Sequence, residues 1–244
     1  MAAGDDSYIW IKTRDGSPTL WSNEISEPFR STKGAFTESW TAFVAPALDA
    51  ALRERGLRRV VLGEFGLGPG TNWVLWSLAA RALGLECEYF VIEKETAYFE
   101  AGLERWQNTA HEVAAFVATA LGQAGGEGLA RELREGRLEM PRIYASLETA
   151  IQAAQKPADL WFHDPFGYAV NPEGYAHQTL TKCAQLWSAE VAGFSYACNR
   201  AYREAVEAAF PGVTFCAQNT GGAGLKRQRS EFYGPLYPLP SALK

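Results

Sequence analysis

Two short stretches of the chain carry residue types that suit chemistry on a bound ligand. The first reads Glu64-Phe65-Gly66-Leu67-Gly68-Pro69-Gly70-Thr71-Asn72. Glycines at alternate positions let the backbone turn sharply and approach a ligand closely, and a helix starting there offers unpaired N–H groups. The dinucleotide fingerprint Gly-x-Gly-x-x-Gly needs its third glycine where this chain has Thr71. Gly-x-Gly-x-Gly after an acidic residue suits S-adenosylmethionine (SAM) better, a ligand with a cationic methionine end and a ribose diol but no phosphate. In that reading Glu64, Gly66, Gly68, Gly70 and Asn72 form the cofactor turn, with Glu64 serving the cationic end. Glu93, about 20 positions past the turn, accepts hydrogen bonds from both ribose hydroxyls, with Lys94 beside it. A turn that only joins two elements is the plainer alternative.

The second stretch is Asp164-Pro165-Phe166-Gly167-Tyr168, followed by Asn171-Pro172-Glu173. A carboxylate beside aromatic rings suits a nitrogen nucleophile, which must lose a proton around the time it attacks a methyl group. Asp164 is the candidate to accept a hydrogen bond from that amine and aim its lone pair along the S–CH3 bond. Phe166 and Tyr168 are candidates to stack on a base or to line the cationic methyl. Against this stands the ordinary use of Asp before Pro, an Asx-turn or helix cap.

Both stretches need a scaffold, and the hydrophobic period supplies one. Arg59–Phe65 reads as a buried strand, 72–83 as a helix ended by Gly84, and Glu86–Glu93 as a second strand, which makes a right-handed βαβ unit. Residues 95–135 are helical with a break at Gly122–Gly128. Leu138–Tyr144, Asp159–His163 and Val191–Ala197 read as further strands, alternating with helices through Ala154, over Tyr175–Trp187 and over Arg200–Phe210. Val213–Ala217 and Glu231–Tyr233 read as a terminal antiparallel pair. The expected fold is therefore α/β, a Rossmann-like doubly wound, mostly parallel sheet with an antiparallel C-terminal edge strand. Residues 1–35 read as an N-terminal extension with a hairpin (Ser7–Lys12 and Thr19–Asn23), and 36–244 as the main domain, opening with a helix over Glu38–Arg55.

Composition narrows the classes further. The chain has 244 residues, 47% hydrophobic and 21% charged, enough for a folded domain of this size. No apolar run approaches the ~18 residues that span a bilayer, and the polar, acidic start is not a signal sequence; a cytoplasmic protein is expected. Cys87, Cys183, Cys198 and Cys216 form no Cys-x-x-Cys pair, and with three histidines no zinc spacing arises, so no metal is expected. A net charge of −5 argues against a surface coated for nucleic acid but leaves room for a local basic patch. Lys226, Arg227 and Arg229 are the candidate for one.

The same motifs carry a family resemblance. The chain resembles the methyltransferase part of the bacterial tRNA 5-methylaminomethyl-2-thiouridine biosynthesis (MnmC-like) family. Glu64–Trp73 looks like that family's acidic-Gly-rich-Asn motif. Phe162–Tyr175 is similar to its Phe-Leu-Asp-Gly-Phe-Ala-Pro-Ala-Lys-Asn-Pro-Glu segment, with Asp164, Phe166, Asn171, Pro172 and Glu173 at matching places. Gly224–Glu231 and Gly34–Ser39 are weaker matches. The resemblance implies a class I SAM methyltransferase fold, SAM as methyl donor, and Asp164 as catalytic aspartate also near the cofactor. It implies tRNA, at the anticodon region, as partner, methylated on the aminomethyl nitrogen of the wobble uridine. Some members are fused to an FAD-dependent oxidase; this chain is too short to include that domain, so a stand-alone enzyme is expected, served by a separate oxidase or amine-forming enzyme. The chain departs from the family at Pro165, at Gly167-Tyr168 and at Ala145-Ser146. The last pair stands where the family has Gly-Asp on the adenine side, a place where Ser146 can still hydrogen-bond the adenine amine. Asp-Pro-Phe also looks like the Asp-Pro-Pro-Tyr motif of amino-group methyltransferases. Another amine substrate, and a non-catalytic SAM- or nucleotide-binding module, stay open at this point.

Overall fold

A computed structural model describes residues 7–153, 156–219 and 228–238. Two sheets organise the chain. The small one is the N-terminal hairpin with a short third strand: β1 (Tyr8–Lys12), β2 (Pro18–Ser22) and β3 (Glu27–Pro28), all antiparallel. The large one has seven strands in the order β6-β5-β4-β7-β8-β10-β9. These are β4 (Arg59–Phe65), β5 (Glu86–Ile92), β6 (Arg142–Tyr144), β7 (Ala158–His163), β8 (Trp187–Ser195), β9 (Thr214–Asn219) and β10 (Gln228–Tyr233). The first five pair in parallel. The C-terminal strand β10 is antiparallel to both β8 and β9, and lies one place in from the sheet edge.

The parallel strands alternate their apolar residues between the two faces, as a strand buried on both sides must. Val60, Leu62, Tyr89, Val91, Leu160 and Phe162 join one core cluster; Val61, Phe90, Ile92 and Trp161 join the other. The first cluster is covered by α1 (Ala35–Ser39), α2 (Ala45–Leu48), α3 (Thr71–Leu83), α4 (Ala97–Asn108), α5 (Ala110–Ala120) and α6 (Glu127–Arg134). The second is covered by α7 (Leu147–Gln152), α8 (His177–Ala184) and α9 (Arg200–Ala209). The helix expected over Glu38–Arg55 is a continuous run in which α1 and α2 alternate with π-helical turns at Trp40–Val44 and Asp49–Glu54. The strand expected from Leu138 forms only over the last three residues. The helix expected through Trp187 stops at Ala184, and β8 starts at Trp187 because that ring packs on Trp161 and Phe232.

The hairpin is fastened to the main sheet's helices. Ser17 Oγ accepts the N–H groups of Ala35 and Phe36 at 3.0 and 3.1 Å, satisfying donors that the first turn of α1 leaves unpaired. Trp10 packs edge-on against Trp106 of α4, and the Arg105 guanidinium lies 4.8 Å from the Trp10 ring. Among the described residues no helix is long and apolar enough to cross a membrane.

Candidate active site

In the large sheet the order of connection reverses between β4 and β7. Ligands of open α/β sheets bind in the crevice beyond the carboxyl ends of the strands at such a point. Both stretches singled out in the sequence lie there, in the loops after β4 and β7. Gly66, Gly68 and Gly70 all have positive φ, at 91°, 51° and 75°. The two loops touch: the Asp164 N–H donates to Phe65 O at 2.9 Å, and a Cβ on Gly66 would stand 2.7 Å from the Asp164 carbonyl oxygen. Glu93 braces the turn from the side. Its Oε2 accepts the N–H groups of Leu67 and Gly68 at 3.0 and 3.2 Å, and its Oε1 that of Glu95 at 2.9 Å. Helix α4 braces it from behind, where Trp106 Nε1 donates to Pro69 O at 2.7 Å.

Below the turn lies a chain of buried polar groups. Asn72 Nδ2 donates to Glu64 Oε1 at 2.8 Å and to Asp164 Oδ2 at 2.9 Å. Tyr89 donates its hydroxyl to Glu64 Oε2 at 2.9 Å. Arg30, from the N-terminal segment, donates to Asp164 Oδ2, and the two side chains are only 5% and 6% exposed. Burial, with the neighbouring Asp164 charge, pushes the Glu64 carboxyl up to about 8. Although burial opposes it, the Asp164 carboxylate holds the Arg30 guanidinium well above its ordinary value. Glu64 is thus pushed toward its protonated form, and Arg30 keeps its charge.

A cleft of about 760 Å³ opens above these groups. Gly66, Gly68, Glu93, Lys94, Ser146, Asp164 and Phe166 line it. Ser146 also caps α7, accepting the Thr149 N–H at 3.3 Å. Glu64, Gly70 and Asn72 do not line it. Glu64 was expected to meet the cofactor's cationic end, but it is fully buried, since it shares its face of β4 with Val60 and Leu62, under α3. Gly70 serves as the left-handed cap of α3, with the Phe99 ring against its Cα. Tyr168, expected at the reacting centre, stands outside the cleft, 53% exposed, beside Tyr175. Arg229 lies within β10, where its guanidinium meets Glu231 Oε1 at 2.7 Å and donates to Thr41 O. It is held by protein groups and is not a loop cation. Lys226 and Arg227 lie outside the described residues.

Several lining residues come from segments read in the sequence only as scaffold. Phe29 packs on Phe166 at 4.7 Å and on Tyr98 at 4.9 Å, making an aromatic wall. Glu38, 4% exposed, accepts the Ser31 N–H at 2.7 Å, and Tyr196 carries its ring beneath Arg30. His163, one residue before Asp164, is sandwiched between Phe65 and Tyr202; its Nε2–H donates to Gly174 O at 2.9 Å. Burial drops its imidazole to about 3, so it stays neutral and anchors the Asn171-Pro172-Glu173 loop.

A search of curated proteins finds no match. Among solved structures the chain is similar to MnmC2 from Aquifex aeolicus, with a TM-score of 0.67 and 20% identity over 98% of this chain and 75% of that one. It is also similar to spermidine synthase from Thermotoga maritima, at TM-score 0.53 and 8% identity over 97% and 73% of the two chains. These likenesses show the fold, a Rossmann-like class I methyltransferase architecture. A family profile described as S-adenosyl-L-methionine-dependent methyltransferase matches residues 108–231, just over half of the chain and including the Asp164 loop. The chain belongs to that family and is an S-adenosyl-L-methionine-dependent methyltransferase.

Proposed function

We propose that this enzyme is an N-methyltransferase whose acceptor is the 5-aminomethyl nitrogen of wobble 2-thiouridine in tRNA. The observation that carries the reading is the Asp164 carboxylate, fixed at the switch point by Asn72 and Arg30 and lining the cleft beside Phe166. The fold likeness to MnmC2 and the Phe162–Tyr175 segment support the choice of acceptor.

The residues fit SAM. The cleft volume falls in the ~300–1,000 Å³ range of small-molecule sites, and its donor set matches the ligand's groups. Glu93 would hold the ribose diol, the backbone of Gly66–Pro69 the methionine end, and Ser146 the adenine edge. When bound, SAM supplies an electrophilic methyl group on a sulfonium. Asp164 accepts a hydrogen bond from the amine N–H and directs the nitrogen lone pair into the cleft. Phe29 and Phe166 wall the acceptor and exclude water.

The test is transfer of labelled methyl from SAM to tRNA carrying 5-aminomethyl-2-thiouridine. Asp164→Asn is expected to lower turnover by about 10²–10⁴-fold while SAM binding persists. A second reading, a small cationic amine, is favoured by the charge of the lining: Glu27, Glu38, Glu93, Glu95, Glu148, Glu173 and Asp164 stand against Arg30, Lys94 and Lys182. Methyl transfer to free amines with none to tRNA would replace the first reading by the second.

A further inference from the structure

We propose that Arg30 is a positioning residue for methyl transfer: the N-terminal hairpin delivers its guanidinium to Asp164, orients that carboxylate and keeps it the charged member of the buried Asp164–Asn72–Glu64 group. The inference rests on Asp164 being the group that meets the acceptor. Arg30 lies 134 residues from Asp164 in sequence, and its placement is built from three sides. Its own N–H donates to Thr19 Oγ1 at 3.1 Å; the preceding Phe29 N–H donates to Leu20 O at 2.8 Å, and the following Ser31 N–H to Glu38 Oε2 at 2.7 Å. The guanidinium carbon lies 5.6 Å from the Phe43 ring centre and 5.9 Å from that of Tyr196. Cation–π contacts of this kind stabilise a desolvated guanidinium.

A buried ion pair is a poor choice for stability alone, because two apolar residues of similar volume serve as well or better. Its consequence at this site is electrostatic. Two carboxyls share one amide bridge, and like charges that close disfavour double ionisation. Arg30 is paired directly with Asp164 and reaches Glu64 only as a more distant charge, so its pull toward the ionised form is stronger at Asp164 than at Glu64. The other titratable groups around Asp164 do not supply that charge: the cleft's Lys94 and Lys182 are exposed, and Lys182 is paired with Glu148. Tyr89, Tyr175 and Tyr196 are all raised by burial and stay neutral, as does His163. Glu38, from α1, lies near Arg30 and offers only negative charge. Removing Arg30 must therefore move Asp164 toward protonation, and a protonated carboxyl no longer takes up an amine proton.

The experiment follows the Asp164 side-chain carbon by 13C NMR in the full-length protein without acceptor, its signal assigned by loss in Asp164→Asn. Arg30→Gln is expected to raise the Asp164 midpoint by about one pH unit or more. Arg30→Lys keeps a charge but not the planar fork; it is expected to hold the midpoint near wild type and to lower kcat roughly tenfold to a hundredfold on the aminomethyl-thiouridine tRNA. SAM affinity, measured by calorimetry on each variant, is expected to stay near wild type and reports that the cleft is intact. Should Arg30→Gln fail to fold, the kcat loss in Arg30→Lys with SAM affinity retained carries the test. An unmoved midpoint in folded Arg30→Gln, or an unchanged kcat in Arg30→Lys, overturns the inference. Full turnover in Asp164→Asn overturns instead the role of Asp164 on which it rests.

Discussion

At the scale of single residues, the proposed chemistry turns on which of two buried carboxyls carries charge. Glu64 is raised from an ordinary 4.5 to about 8, first by burial and then by Asp164. Its folded-state value exceeds its unfolded one, so the folded protein binds more protons between those limits, and stability falls as pH rises from about 4.5 through 8. Glu64→Gln removes the charge, as protonation does, and keeps a carbonyl oxygen to accept from Asn72. We therefore expect the variant to gain stability relative to wild type as pH rises from 5 to 8, by an amount on the order of kcal/mol, in urea unfolding at the two pH values. His163, depressed from 6.5 to about 3, works the other way: its contribution is present above 6.5 and lost as pH falls toward 3. Both proteins share it, so it cancels in the difference, and parallel stability curves for the two would refute the assignment of Glu64.

At the scale of elements, the glycine turn holds its shape because a helix on its far side leaves room for it. A Cβ on Gly102 of α4 would stand 2.0 Å from Pro69 O, and four residues on Trp106 donates to that same oxygen. Gly102→Ala must push the turn toward the cleft. It is expected to cost about 1–3 kcal/mol as overpacking and to weaken SAM binding in calorimetry. Gly128→Ala is the matched control in α6, where nothing lies within 4 Å; it is expected to add about 0.5–1 kcal/mol as a normal helix substitution and leave SAM binding alone. Equal behaviour of the two variants would remove the support role of α4. This contrast also explains what the sequence made legible. Strand, glycine turn, helix and Glu93 are local in the chain, and periods of 2 and 3.6 reveal them. Gly102 reads as a weak spot in a helix, since its reason is a contact with a residue 33 positions away. Arg30 reads as part of a peripheral hairpin for the same cause. Tyr168 reads as part of the Asp164 loop by adjacency, yet the chain turns after Gly167 and points it outward.

At the scale of the whole molecule, charge separates the cleft from any surface for a polyanion. The protein is acidic overall, at −5, and carboxylates outnumber cations in its cleft, so a tRNA acceptor needs local cations away from the floor to offset phosphate repulsion. Of the three C-terminal cations Arg229 is committed elsewhere. It joins Glu231, whose side chain is 5% exposed and whose Oε2 accepts from Tyr233 at 2.7 Å, and it reaches back to Thr41 in the helical run before β4. Arg229→Ala leaves Glu231 buried without its cation. We expect it to destabilise the fold by about 1–3 kcal/mol, with little change in the salt dependence of tRNA binding. Lys226→Ala and Arg227→Ala are each expected to lower the slope of log K against log salt by about 1. Filter binding of tRNA over a salt series, beside thermal unfolding, separates the two behaviours. A slope that drops with Arg229→Ala at unchanged stability would return this residue to the nucleic-acid surface. Slopes unaffected by all three would turn the acceptor question toward a small amine, whose positive charge an acidic cleft receives without any basic rim.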